Sequence, residues 1–184
     1  MKHSTAFRAI TALWVLLSIS NASPGQSPPD NPSRKSVKLP NGVLQVDWDA
    51  LLPANAQRQP TVAPKPIHDY LGEAGPAAKQ SGSSAVNNEL EGVTLRIPGF
   101  IVPLDADASG QVVEFLLVPY YGACIHVPPP PPNQIIYVRP VKPFPVKDPF
   151  NAYWITGRMH IEIRSTQMAS ASYSMSASQV DAYE

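Results

Sequence analysis

A single cysteine, Cys124, stands in a chain of 184 residues, so no disulfide forms within the chain and no pair of Cys-x-x-Cys knuckles is available to hold a metal. Charge of one sign is missing too: 14 Lys and Arg balance 14 Asp and Glu. A chain without excess positive charge lacks the field that draws nucleic acid or an anionic membrane surface. There is no Gly-rich phosphate loop, no Gly-x-Ser-x-Gly elbow and no helical repeat, so nucleotide chemistry and serine-elbow acyl transfer have no support. Long apolar runs are also absent. The best of them, Ala9 to Ile19, covers eleven residues, and a bilayer core takes roughly 20.

That short run has a different meaning. Lys2 and Arg8 precede it, and Ser20-Asn21-Ala22 follows with small residues where signal peptidase reads. The pattern predicts a secretory signal over residues 1–22, cut after Ala22, and a periplasmic mature chain that does not insert in the membrane. No cysteine follows the run, which excludes a bacterial lipoprotein anchor.

Proline is plentiful where cysteine is scarce. Of 22 prolines, ten lie between Pro24 and Pro76 among small and polar residues, a composition that buries too little apolar surface to offset its ordering entropy. Residues 23–89 therefore read as a long disordered Pro-rich region. Within it, Trp48, Leu51 and Leu52 form a short apolar clip for the domain proper, on a helical turn with Asp47 or Asp49 as cap and Pro53 as stop.

Residues 90–184 read as an all-β domain. Val93 to Leu104 is rich in β-branched and aromatic residues, with a bend at Pro98-Gly99. Asp105 to Gly110 supplies a turn into a nearly all-apolar strand, Val112 to Val118, and the two make a hairpin. Gln134 to Val138 is a third strand and Tyr153 to Ile163 a fourth, bent at Gly157. From Ser165 on, small polar residues leave an edge strand or a short helix open. Short strands bent by glycines fit a small closed β-barrel, with the oligomer-binding (OB-fold-like) barrel as first choice, because closure removes exposed edges.

Chemistry concentrates in Gly122-Ala123-Cys124-Ile125-His126-Val127, followed by Pro128 to Pro132, Asn133 and Gln134. In an extended chain Cys124 and His126 project from one face, roughly 7 Å apart at their α-carbons, a spacing one zinc ion can bridge. His160, with Glu162 beside it on one strand face, and Glu114 are the further candidate ligands. The other readings of Cys124 are a buried thiol acting as a small hydrophobe, an intermolecular disulfide, and a nucleophile. The last is the weakest, since no orienting acid is identifiable. The prolines serve either as an internal strap packed on Tyr120, Tyr121 and Tyr137 or as a docking ligand for a partner.

Gly99 to Leu104, Glu114 to Tyr120 and the GACIHVPPPPPNQ block resemble a family of small exported bacterial proteins of unknown function, over about Val93 to Val138. In some bacteria its members are encoded with an ABC-transporter cassette and a histidine-rich exported protein under zinc-responsive control. The resemblance implies metal homeostasis, and it transfers no catalytic residue. Together these readings predict a periplasmic zinc-binding accessory of an ABC transporter, with Cys124, His126, His160 and Glu114 as candidate ligands. The alternative is a non-enzymatic adaptor that contacts a transporter or other envelope protein, with Cys124 structural.

Overall fold

The computed structural model describes residues 36–54, 56, 79–124 and 128–183, all within one unit, Pro32–Glu184. The expected signal peptide, most of the linker and His126 lie outside the described residues. Seven strands follow in chain order: β1 (Val37–Lys38), β2 (Leu44–Gln45), β3 (Thr94–Ala106), β4 (Val112–Val118), β5 (Ile136–Pro140), β6 (Tyr153–Ser165) and β7 (Ser170–Ala182). Among the described residues the only helical turns are short 3-10 pieces.

The sheet runs β1-β2-β3-β4-β5-β7-β6, and β6 returns to pair with β3. β3, β4 and β5 form an antiparallel meander, and β6 comes back by the long 141–152 connection to lie beside β3. That is a Greek key. β7 closes it, parallel to β5 and antiparallel to β6. The result is a five-stranded barrel of the OB type, as the bent strands predicted.

Closure depends on the bend at Pro98-Gly99. Residues 94–99 of β3 pair with β6 and residues 100–106 pair with β4, so the strand changes partners at the glycine. A Cβ there would sit 2.8 Å from the Val118 carbonyl oxygen. Gly157 permits a close approach of the same kind on β6. Its missing Cβ would press on the Ser176 carbonyl and lie 2.8 Å from the Ala177 Cα.

Strand alternation divides the apolar residues between two cores. Leu95, Ile97, Phe115, Leu117, Ile136, Val138, Ile155, Met159, Tyr173 and Met175 fill the barrel. Val102, Leu116, Val118, Ile135 and Tyr137 point the other way, into a second cluster completed by Ala123, Ala169 and Ala171. Phe115 to Val118 of β4 are apolar without a break because both faces of the strand are covered there.

The barrel core reaches further back than Leu90. Trp48 and Leu51 are buried in it, on a 3-10 turn that Asp47 caps through the Ala50 N–H. The Trp48 indole donates to the Pro98 carbonyl at 2.7 Å. Tyr173 donates to the Leu51 carbonyl, Asn87 to that of Ala50, and Gln134 to that of Trp48. The predicted clip is thus the floor of the barrel. Gln134, just past the prolines, anchors this turn.

β7 is the largest departure from expectation. It lies between β5 and β6, paired on both sides, where the sequence pointed to an edge strand or a helix. Its serines and alanines leave room for close approach at Gly157, while Tyr173 and Met175 supply the interior contacts.

Candidate functional site

Pro119 ends β4, and the chain turns through Tyr120, Tyr121 and Gly122 into Cys124. Gly122 has φ +79° and Cys124 has φ +68°, so the thiol sits on a left-handed residue, a conformation that a side chain other than Gly, Asn or Asp adopts at a cost. Cys124 packs against the second apolar cluster beside Tyr120. Burial pushes its thiol up to about 11. A thiol so placed is a poor nucleophile at neutral pH.

The prolines that follow are tied inward. Tyr120 donates to the Pro128 carbonyl at 3.1 Å and Gln80 to the Pro130 carbonyl at 2.9 Å. Pro130 is buried, and Gly82 lies so close to Pro131 that a Cβ would meet its ring at 2.7 Å. Residues 79–85, read from sequence as linker, hold the strap from outside: Asn133 donates from its backbone to Ser83 and from its side chain to Ala85. Tyr121 turns away from the strap, toward Phe100 and Phe150.

The other candidate ligands have partners of their own. The His160 ring meets Glu91 at 3.1 Å, and the second oxygen of Glu91 accepts the Ile161 N–H. Those contacts, the backbone bond first and His160 next, lower the Glu91 pKa. Glu162 accepts from Ser174 and pairs with Arg164 at 2.7 Å. Glu114 on β4 lies one step beyond the Phe115–Val138 pair, opposite Arg139 of β5. The Arg139 Nε donates to it at 2.8 Å, and hydrogen bonds from Tyr137 and then Arg139 lower its pKa. Among the described residues no three His, Cys, Asp or Glu side chains come together.

Sequence reasoning missed a cleft on the outer face of β3, β4 and β5. Its volume is ≈ 440 Å³, and it is lined by Pro103, Leu104, Glu114, Tyr137, Arg164 and the β6–β7 turn from Ser165 to Met168. Arg139 and Arg164 each hold a guanidinium 5.6 Å from the Tyr137 ring centroid, a cation–π distance. The i, i+2 spacing of Tyr137 and Arg139 put them on one strand face, but only the register brings Glu114 to them.

The family described as "Protein of unknown function (DUF3299)" matches residues 48–182. The chain belongs to the DUF3299 family. The match begins at Trp48, the residue whose indole reaches Pro98, so the family's domain includes the barrel floor along with the strands. A crystal structure of a DUF3299 family protein from Pseudomonas aeruginosa PAO1 is similar at 44% identity and a TM-score of 0.65, over 76% of this chain and 95% of that one. No curated protein matches the chain.

Proposed function

We propose that this DUF3299 chain is a non-enzymatic adaptor of the cell envelope, with Cys124 a structural thiol. The observation that carries the reading is an exposed aromatic surface beside the Cys124 loop. Tyr121 stands 6.0 Å from Phe100 and 5.6 Å from Phe150, ring centre to ring centre, and Tyr121 and Phe150 are 47% and 68% exposed. Isolated apolar residues on a surface are ordinary, whereas adjoining aromatics mark contact surfaces. The inward ties of the proline strap support a fixed platform for this surface. The ion pair of Glu114 with Arg139, the hydrogen bond of His160 with Glu91 and the apolar packing of the thiol favour this reading over zinc carriage.

The partner is an envelope protein, with the ABC transporter of the sequence-based expectation as first candidate. A photoreactive amino acid at Phe150 tests it in cells. The expected result is a discrete adduct with one envelope protein, lost when Tyr121→Ser is added while the melting temperature is kept. Absence of any adduct, together with tight zinc uptake by reduced, metal-stripped protein that Cys124→Ser abolishes, would replace the adaptor by the zinc accessory.

A further inference from the structure

We infer that the cleft between the β3–β5 face and the β6–β7 turn binds a short neutral oligosaccharide. It lies away from the Tyr121–Phe150 surface in the chain, and the inference stands whether or not that surface docks a partner. Barrels of this architecture hold oligonucleotides and oligosaccharides on this face. The fold does not choose between them; the lining does.

The two charged side chains that line the cleft are Glu114 and Arg164, and each is already neutralised from its flank, Glu114 by Arg139 and Arg164 by Glu162. Among the described residues that line the cleft, a polyanion finds no unpaired cation to neutralise it, and a cation finds no unpaired carboxylate. A charged guest has to break an existing pair to gain one of its own. A guest with hydroxyl groups does not. It donates to the open lone pairs of Glu114, accepts from the remaining N–H groups of Arg164, and leaves both pairs intact.

Backbone availability separates a saccharide from a peptide. An extended peptide binds such a face by adding a strand, which needs free main-chain donors and acceptors. Pro103 has no N–H to give. In the turn, Thr166 Oγ1 accepts the N–H groups of Met168 and Ala169, and both the Thr166 N–H and its hydroxyl go to the Ala169 carbonyl. Three N–H groups of the turn are thus committed within it, and side chains of Glu114, Arg164 and Gln167 offer the lining's polar groups to a guest. Pro103, Leu104 and Met168 supply the apolar surface on which the C–H face of a sugar ring rests. A volume of ≈ 440 Å³ falls in the lower part of the small-ligand range, enough for two or three sugar rings.

The test is an amide NMR titration of the whole protein with neutral trisaccharides of glucose and of N-acetylglucosamine, alongside a uronic-acid trisaccharide and a short Ala-Ser peptide. Expected are saturable shifts at Leu104, Glu114 and Arg164 to Met168 with at least one neutral sugar, little changed by added salt. Gln167→Ala, on the exposed turn, weakens that binding roughly three- to tenfold. Glu114→Gln weakens it about tenfold. Failure of both neutral sugars to shift these amides would overturn the inference. So would tighter, salt-sensitive binding of the uronic-acid sugar, or binding of the peptide in their place.

Discussion

Gln80 and Ser170 exchange two hydrogen bonds as if they were neighbours in a sheet. The Ser170 N–H donates to Gln80 Oε1 and Gln80 Nε2 donates to the Ser170 carbonyl, each at 2.8 Å. The same Nε2 reaches the Pro130 carbonyl. One side-chain amide thereby fastens the start of β7 to the proline strap.

Replacing Gln80 removes three bonds to backbone groups that are partly shielded from water. Gln80→Ala is expected to lower stability by about 1–3 kcal/mol, measured by urea unfolding. It should also raise hydrogen exchange at Ser170 while leaving β4 amides unchanged. An unaltered midpoint would mean that water replaces the side chain at no cost.

Cys124 should be slow to alkylate. With the thiol pushed up to about 11 from 9.0, its thiolate fraction at mildly alkaline pH falls about a hundredfold, and the greater nucleophilicity of a more basic thiolate recovers roughly a factor of ten. Iodoacetamide is expected to react about tenfold more slowly than with a free thiol. The rate keeps climbing toward pH 11 instead of levelling near 9. Because the folded pKa is raised, the thiol's contribution to stability is full below 9.0 and is lost as pH rises toward about 11. A rate equal to that of a small thiol would place Cys124 in water.

Two glycines should respond differently to alanine. At Gly157 the added Cβ meets backbone of β7 that cannot give way, and Gly157→Ala is expected to cost about 3 kcal/mol. At Gly110 the space is open and only its φ of +78° opposes a side chain, so Gly110→Ala costs about 1 kcal/mol. Thermal melts of the pair decide this, and equal losses would mean that the β6–β7 contact can relax.

Glu114 gives the barrel an acid-sensitive contact. Tyr137 and Arg139 lower its pKa from 4.5. A lowered folded pKa adds stability above the ordinary carboxylate value, and that stability is lost as pH falls through the folded pKa. The melting temperatures of wild type and Glu114→Gln are expected to differ at neutral pH, by the small amount typical of exposed pairs. They should converge below 4.5. A gap that persists at low pH would assign the loss to packing.

The strands that could be read in the sequence were those whose residues declare a strand by themselves. β4 is bounded at Val112 and Val118 by turn chemistry and Pro119, and the Pro98-Gly99 bend is written in two adjacent residues. β7 hid because serine and alanine carry little apolar signal. Its period shows only in Ala171, Tyr173, Met175 and Ala177, set against the serines between them. The Trp48 clip was legible as an apolar island, but its role as barrel floor depends on Asn87, Gln134 and Tyr173, up to 122 residues away. The partners of Glu114 and His160 were beyond reach for the same reason: a side chain's type is local, and the strand register that chooses its neighbour is not.

Because β7 closes the barrel, folding of the domain has to wait for Ser170–Ala182. Before Ser170–Ala182 arrives, β5 lacks its parallel partner, β6 has one bare edge, and the Leu51 carbonyl has no Tyr173 hydroxyl. Contacts of such long sequence separation are slow to form. A chain translated from its N-terminus thus keeps its barrel open until β7 has emerged, with the apolar faces of β3 to β6 uncovered until then.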